Sequence, residues 1–525
     1  MMWSLRVALL ALLIFSSVAQ ASTRADWITL ERAIDGWRVD EAEAALKRLT
    51  EAGTTSPRLT LARGRLELLQ GDYGRAAQTL KGAREVGPIA QHFEEIARAT
   101  AQEMAGYVER TTADGRFVIL HEPGADELLV PYLEHILARS WVALTERLNF
   151  IPKGKIRVEV YPRVDVLGAV SPLTVDEIRT SGTIALCKYN RLMVTSPRDM
   201  VYGYSWADTV AHELVHLLIT QRTYNQVPIW LHEGLAKYLE TAWREPGRPS
   251  LEPRSEDRLA KAVASRELIS FEAMSPSMAK LPSQEAAATA FAEVFTVIDW
   301  LTVHHGPEAI GELLDAMAAG KTDREAIETV TSLSFARFER TWKAHLSGLG
   351  LRRLDHPFDM RLLFRGHDTQ ATELEMIEAK EARRWIWLGD QLQLKERSLA
   401  ALREYQKARE IAGSSVPMLQ AKIAKMLIRL QRLKEAREAL MPALRVAPDY
   451  VLLPLLLGQV AALENKHAEA RQHFEQVIRL NPFDVDIHGL LAKTYEALGE
   501  RALAEREREA QTTLNRTLRE GGGPP

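Results

Sequence analysis

The chain has 525 residues, of which 46% are hydrophobic and 26% charged, and its formal net charge is −3. This length predicts about three domains of ordinary size, and the composition is that of a globular protein. Both signs of charge are interspersed, which argues against nucleic acid or an anionic membrane as the main partner. Cys187 is the only cysteine, so no intramolecular disulfide can form. Its apolar neighbours favour a small core residue over a reactive thiol.

Residues 1–21 have the layout of a secretory signal peptide. Arg6 precedes an apolar run over residues 7–15, and residues 19–21 read A-x-A, a cleavage pattern. The run is too short for an ordinary transmembrane helix, which favours cleavage after Ala21 over an uncleaved anchor. We expect no later stretch to be long and apolar enough to cross a bilayer. We therefore expect an exported protein, bacterial periplasmic or extracellular, without a membrane span in the mature chain.

Residues 22–103 are predicted to form about two helical hairpins. Ala42 in DEAEAALKRL and Ala76 in DYGRAAQTL lie 34 residues apart. Small residues at a fixed period are typical of places where helices approach closely in a repeat array.

Residues 104–350 have a different sequence pattern. RFVILHE and KIRVEVYP are β-branched runs of strand length, and GTIALCKYNRLMVTSP predicts two strands around a turn at Tyr189 and Asn190. Residues 125–148 predict one long amphipathic helix, and helices dominate again from Ser205. A small sheet followed by helices predicts an α+β domain.

The stretch AHELVH contains candidate metal-binding and catalytic residues. His212 and His216 are four residues apart, so they share one helix face and can direct both imidazoles at one point. Two neutral imidazoles so placed suit a tetrahedral Zn²⁺. Glu213 lies off that face and can instead act on a water as general base. Ser205 with Asp208 three residues later resembles a capping box at the start of this helix. The pattern also arises by chance, so two ordinary histidines on a helix remain the alternative until a third ligand is found.

The segment PIWLHEGLAKYLE, residues 228–240, offers that ligand. Pro228 suits the first position of a second helix, and an antiparallel hairpin can bring Glu233 to the same point. Gly234 is costly inside a helix, which indicates close packing of the two helices beside the metal. His232 is expected to point away, toward the surface. Two histidines and a glutamate leave one position open, as in catalytic zinc sites.

HELVH together with WLHEGLAKYLE resembles the gluzincin branch of zinc metallopeptidases, in particular the exported peptidase MA-like domains often joined to tetratricopeptide repeats. The resemblance covers about residues 107–346. It implies that His212, His216 and Glu233 hold Zn²⁺ and that Glu213 activates water. It also implies that residues 191–196 form the sheet edge along which a peptide lies.

The family often carries a tyrosine in the helix that follows the two zinc-binding helices. Its hydroxyl there can stabilise the oxyanion of the tetrahedral intermediate. The matching position here is Phe291, which cannot donate that hydrogen bond. Tyr204, Tyr238 and His304 are alternative donors, each with an ordinary role open to it: loop surface, helix packing and helix C-terminus respectively.

Residues 374–515 repeat with the same period as the N-terminal segment. Pro448 and Pro482 are 34 residues apart, and three alanines recur at the same spacing: Ala436, Ala470 and Ala504. With the L-G and Y-x-x-L-G elements, this resembles a tetratricopeptide array, with a looser copy around residues 387–405. Residues 351–373 are expected to be a linker and residues 516–525 a disordered tail.

The predicted fold class is therefore an α+β zincin-like catalytic domain with all-α tetratricopeptide arrays on both sides. The leading functional hypothesis is zinc-dependent peptide hydrolysis, with the arrays recruiting substrate or a protein partner. The alternative is a catalytically weak or inactive exported zinc-binding scaffold that acts through its repeats. The repeats could also merely pack on the middle domain. Because stacked repeats mainly contact their neighbours, deletion of the chain after about residue 374 is expected to leave the middle domain folded.

Overall fold

The structure is a computed structural model that describes residues 23–245, 247–354, 362–365, 374–377 and 379–521. The predicted signal peptide at residues 1–21 therefore lies outside the described residues, as do most of the predicted linker and residues 522–525.

The N-terminal segment is helical, as predicted. Ser56 caps the third helix by accepting a hydrogen bond from the Leu59 amide, and Pro57 occupies its first turn, where no amide hydrogen is needed. Ala42 and Ala76 are both fully buried between helices. The helices are α1 (23–35), α2 (Val39–Glu51), α3 (Pro57–Gln70), α4 (Tyr73–Lys81) and α5 (Pro88–Glu103).

A five-stranded mixed sheet follows, in the order β1-β2-β3-β5-β4. The strands β2, β3 and β5 are parallel, while β1 and β4 are antiparallel to their neighbours. Tyr189 and Asn190 form the predicted turn with φ of 55° and 62°, the conformation that two-residue hairpins favour. The strands are β1 (Val108–Thr111), β2 (Phe117–His121), β3 (Ile156–Tyr161), β4 (Ala185–Lys188) and β5 (Arg191–Thr195).

The sheet order corrects one expectation. Residues 191–196 were predicted to form the edge strand, but β5 lies between β3 and β4, and β4 is the edge. The hairpin alone does not determine which of its strands meets the rest of the sheet. Parallel pairing of β5 with β3 decides it.

Helices make up the rest of the middle domain. Residues 125–148 were predicted as one helix, but residues Ala125–Leu129 form a 3₁₀ turn before α6 begins. Pro131 lacks an amide hydrogen, so it cannot continue an α-helical ladder back into that turn. The helices are α6 (Val130–Arg147), α7 (Val164–Val170), α8 (Val175–Ser181), α9 (Trp206–Thr223), α10 (Ile229–Leu239), α11 (Pro253–Ser265), α12 (Gln284–His305), α13 (Ala309–Ala318), α14 (Asp323–Thr331) and α15 (Phe335–Gly348).

The helix α12 is the centre of this helical half. Among the described residues it is the one helix long and apolar enough to cross a membrane, contrary to the expectation from sequence, and 67% of its apolar window is buried inside the protein. Trp300 and Trp342 are core residues, with 2% and 1% of their surface exposed. The length and apolar character of α12 therefore reflect a core helix surrounded by other helices.

The same glycine–aromatic contact recurs between paired helices of the C-terminal array. A Cβ placed on Gly389 would lie 2.4 Å from the ring of Tyr405, and one on Gly458 would lie 2.4 Å from the ring of Phe474. Each glycine thus lets one helix of a pair contact an aromatic ring of the other, so residues 387–405 pack like the later repeats. The helices are α16 (Lys380–Leu394), α17 (Ser398–Ala412), α18 (Pro417–Arg429), α19 (Leu433–Val446), α20 (Leu452–Leu463), α21 (His467–Leu480), α22 (Val485–Ala497) and α23 (Arg501–Gly521).

Two boundaries differ from those expected. The helix α23 continues to Gly521 and so extends into the segment 516–525 that was expected as a tail; Leu514, one turn earlier, is fully buried. Within the predicted linker, Phe364 forms a β-bridge with Met200 of the middle domain. The bridge joins residues far apart in the chain, which local composition does not reveal.

The C-terminal array packs directly on the start of α9. The Trp206 indole donates to the Ile478 carbonyl at 2.9 Å, and the Tyr204 amide donates to the Leu480 carbonyl at 2.9 Å. Gly203 has φ of 69°, and a Cβ there would lie 2.1 Å from the Leu480 carbonyl oxygen. This close contact contradicts the premise that the array touches little besides its own repeats.

Candidate metal centre

The helix α9 begins at Trp206 without the predicted capping box. Ser205 occupies the N-cap position, but its side chain makes no capping hydrogen bond. Asp208 instead accepts hydrogen bonds from the Trp243 indole at 2.9 Å and from the Arg244 guanidinium at 2.8 Å. The start of this helix is therefore held by tertiary contacts and not by a local cap.

A tight connection reverses the chain after α9. Tyr224 and Asn225 have φ of 53° and 60°, and Pro228 occupies the N-cap of α10, one position earlier than predicted. Close packing at Gly234 is present, but with a different helix: a Cβ there would lie 2.9 Å from the Val294 carbonyl oxygen of α12. The helix α10 is thus enclosed between α9 and α12.

This hairpin brings His212, His216 and Glu233 together. One donor atom from each lies within 4.8 Å of the others, and no other group of three such residues is found among the described residues. Nε2 of each histidine lies 3.3 Å from the same carboxylate oxygen, Oε2 of Glu233. Two imidazole nitrogens and one carboxylate oxygen converging on one point are a donor set that fits a metal ion such as zinc.

A second set of polar residues orients both imidazoles. Nδ1 of His212 lies 3.0 Å from Oε2 of Glu240, and Nδ1 of His216 lies 2.9 Å from Nδ1 of His232. These contacts turn the Nε2 atoms toward Glu233. Partners of this kind fix the tautomer and ring orientation of metal-binding histidines.

The position of His232 contradicts the expectation that it lies at the surface. Only 7% of its surface is exposed, because α10 is enclosed and the residue before Glu233 also faces α9. Glu240 received no role from the sequence. Helical spacing could have indicated this role, since a residue seven positions after Glu233 returns to the same side of a helix.

The polar groups of the site are strongly coupled. Burial lowers the pKa of His212, but hydrogen bonds to Glu233 and Glu240 outweigh it and raise that pKa to about 10. Burial would raise the pKa of Glu233, but the charge of His216 and the hydrogen bonds from both imidazoles hold it well below its usual range. Burial, aided by the charge of His216, lowers the pKa of His232. Oppositely charged groups of the site thus stabilise one another where burial limits their contact with water.

Glu213 is separate from the three converging donors. It is 5% exposed, and burial raises its pKa, opposed by the charges of His216 and His212 and by a hydrogen bond from the Cys187 backbone. Cys187 belongs to β4, so the carboxylate of Glu213 lies between the paired histidines and the edge of the sheet. Cys187 itself is a buried free thiol, as predicted.

Phe291, at the position where the family often has a tyrosine, lies beside the three converging donors. Its ring centroid is 6.4 Å from that of His212, in an edge-to-face arrangement. Tyr204, by contrast, is buried and not on a loop surface: its hydroxyl donates to the Thr195 carbonyl at the end of β5. That hydroxyl is committed to holding the sheet against α9.

Tyr238 and His304 have the ordinary roles that the sequence left open. The Tyr238 hydroxyl lies 2.9 Å from Oγ1 of Thr302, between α10 and α12. Nδ1 of His304 donates to the Trp300 carbonyl at 2.8 Å, at the end of α12. Neither is among the residues that the structure gathers around His212.

Comparisons with known proteins agree with this organisation. A family model of the Peptidase MA superfamily matches residues 157–348, and a tetratricopeptide repeat model matches residues 33–88, 422–485 and 455–513. A search of the curated proteins finds no match.

Solved structures are similar only in part. The first tetratricopeptide domain of Spaghetti (RPAP3) bound to an HSP90 peptide is 22% identical over 23% of this chain and 94% of its own, with a TM-score of 0.22. MamA is 16% identical over 29% of this chain and 94% of its own, with a TM-score of 0.25. Native leukotriene A4 hydrolase from Saccharomyces cerevisiae is 11% identical over 78% of this chain and 67% of its own, with a TM-score of 0.31. The family models thus find a Peptidase MA superfamily domain at residues 157–348, with tetratricopeptide repeats on both sides of it.

Proposed function

We propose that this protein is an exported zinc peptidase that hydrolyses peptide bonds and uses its repeats to recruit a polypeptide substrate or partner. The observation that carries the proposal is the convergence of His212, His216 and Glu233, with a buried carboxylate, Glu213, beside them. A purely structural metal site needs no such extra carboxylate. Export rests on the signal-peptide pattern of residues 1–21.

The proposed ligands are His212, His216 and Glu233, and their donor chemistry suits zinc. Zinc bound there supplies a Lewis acid that polarises a carbonyl group and makes a water more acidic. Glu240 and His232 keep the two imidazoles in their binding orientation through the Nδ1 contacts. Three protein donors leave room for water or substrate, as a catalytic site requires.

Glu213 is the proposed general base. Its carboxylate accepts a proton from the attacking water and passes that proton to the amide nitrogen that leaves when the peptide bond breaks. Burial keeps bulk water away from the carboxylate, and the contact with the Cys187 backbone sets its position. Glu213 thus both accepts the proton and returns it, so no second acid–base residue is needed.

The edge strand β4 is the proposed platform for the substrate backbone. A two-residue turn makes Lys188 and Arg191 a hydrogen-bonded pair, so the main-chain groups of Ala185 and Cys187 face away from β5. The Cys187 amide already donates to Glu213, so the Cys187 carbonyl and the main-chain groups of Ala185 are the ones placed to pair with an extended peptide, as in β-augmentation. This replaces β5, the strand that the resemblance had suggested.

The alternative function is an exported zinc-binding scaffold with weak or no catalysis, acting through its repeats. The observation that favours it is the phenyl ring of Phe291 next to His212, since this ring cannot donate a hydrogen bond to an oxyanion.

Metal analysis tests the site directly. We expect the purified protein to hold about one zinc per chain, and His212→Ala or Glu233→Ala to lose it, since each removes one of only three protein donors. Elemental analysis after extensive dialysis measures the content, and a library of peptides measures cleavage. Full zinc retention in both variants would refute the ligand assignment, and loss in only one would indicate a different third ligand.

Phe291→Tyr tests the missing donor. The substitution adds one hydroxyl beside His212 in nearly the same volume, and a single oxyanion donor is worth about a hundredfold in turnover. We expect peptide hydrolysis to rise, or to appear where the wild type shows none, with unchanged zinc affinity. If both forms fold, bind zinc and cleave nothing, the scaffold function is favoured. Unchanged activity in an active enzyme would mean that another group steadies the oxyanion.

A further inference from the structure

A cavity of about 150 Å³ lies between the N-terminal repeats and the peptidase domain. The repeats contribute aromatic walls, Trp37 and Phe93, and the β4–β5 hairpin contributes Lys188 and Tyr189. Asn225, in the connection between α9 and α10, completes the lining. The cavity is therefore shared by the repeat array, the edge of the sheet and the loop that joins the two helices of the metal centre.

Polar contacts fix the walls of this cavity relative to one another. The buried Asn190 amide donates to the Leu69 carbonyl at 3.3 Å and accepts from Gln221 at 3.0 Å. Arg38 donates to the Gln221 carbonyl at 2.7 Å. The hairpin, the first repeats and α9 are thus held together by buried hydrogen bonds, and the cavity is formed before any ligand arrives.

The lining is mainly apolar and aromatic. The rings of Phe93 and Tyr189 meet edge to face, with centroids 5.9 Å apart. The guanidinium of Arg65 lies 4.9 Å from the Phe93 ring centroid and pairs with Asp35 at 2.6 Å, so its charge is already neutralised. A water occupies about 30 Å³ in the liquid, so the cavity has room for several waters or for one large side chain. An apolar side chain would displace water that these walls bind poorly.

The cavity adjoins the end of the edge strand. The Cys187 backbone contacts Glu213, and the next residue, Lys188, lines the cavity. A strand advances about 3.3 Å per residue. A peptide paired with β4 and reacting beside Glu213 would therefore pass the cavity about two to four residues from the bond that is cleaved.

We propose that this cavity is a subsite for one bulky apolar side chain, aromatic or long aliphatic, of a polypeptide substrate lying along β4. The proposal rests on the proposed peptidase function for its location relative to the cleaved bond. It makes the N-terminal repeats part of the substrate site, where they select the sequence that is cleaved.

A peptide library randomised at each position around the cleaved bond tests the proposal with the full mature protein. We expect a preference of about tenfold or more in kcat/KM for bulky apolar residues at one position. Phe93→Ala and Tyr189→Asn each remove one aromatic wall, and asparagine tolerates the positive φ of residue 189. Both variants should reduce the preference through KM while kcat on the best peptide stays the same. Ile89→Ala, at an exposed position of the same helix as Phe93, is the matched control and should leave the preference intact.

A second measurement separates this proposal from the peptidase function. Binding of peptides from the same library is measured with the Glu213→Gln protein, in which cleavage is expected to be strongly reduced, and with Phe93→Ala and Tyr189→Asn in that background. Binding that depends on a bulky apolar residue and is lost in either folded wall variant supports the subsite even if the wild type cleaves nothing. A preference that survives both wall variants, or binding and cleavage indifferent to apolar residues at every position, overturns it.

Discussion

Replacing Glu213 by glutamine is expected to leave zinc bound and to reduce peptide hydrolysis by about a hundredfold to ten-thousandfold, the range that one positioned acid–base group contributes. Glutamine has the same shape and its side-chain oxygen can still accept from the Cys187 backbone, so the site should keep its geometry. It cannot take a proton from water at neutral pH. Because Glu213 is not among the three converging donors, metal content should match that of the wild type.

The measurement is kcat/KM on the best peptide of the library, with zinc content determined on the same sample. Glu312→Gln, the same chemical change at an exposed position on α13, is the control and should behave as wild type. A Glu213→Gln protein that retains both zinc and full activity would remove Glu213 from the mechanism. One that loses zinc would make it a metal-binding or folding residue.

Contrary to the expectation from the repeat pattern alone, removing the C-terminal array, residues 374–525, is expected to destabilise the peptidase domain strongly. The deletion exposes Trp206, now 1% exposed, and breaks the hydrogen bonds from Trp206 and Tyr204 to α21. Burial of one large aromatic side chain and two hydrogen bonds amount to about 3 to 5 kcal/mol. That is a large share of the roughly 5 to 15 kcal/mol by which domains are stable. Since Trp206 begins the helix that carries His212, zinc retention should fall as well.

Thermal and urea unfolding of the truncated protein measure this effect, together with its zinc content. A milder variant, Trp206→Phe, keeps most of the ring but leaves the Ile478 carbonyl without its donor, which costs about 1 to 3 kcal/mol. Trp387→Phe is the matched control, because Trp387 is 59% exposed, and it should not change stability. A truncated protein with wild-type stability and zinc content would show that the array is an independent module.

Local sequence patterns determined the fold class and the architecture. The fixed 34-residue spacing of buried alanines predicted repeats on both sides, because each repeat must place a small residue at the same helix contact. The turn at Tyr189 and Asn190 followed from their flanking strands. The histidines of HELVH were expected to share a helix face because their spacing matches one helical turn, and the structure places them beside Glu233.

Tertiary packing decided the features that depend on how distant segments meet. The inward position of His232 and the role of Glu240 follow from the enclosure of α10 by α9 and α12, which no local period encodes. The choice of β4 as the edge depends on the pairing of β5 with β3. The contact of α21 with Trp206, and the cavity between Phe93 and Tyr189, join residues far apart in the chain. A sequence specifies periodicity over a few residues directly, whereas contacts of this kind depend on the relative placement of whole elements, and only the three-dimensional structure reveals them.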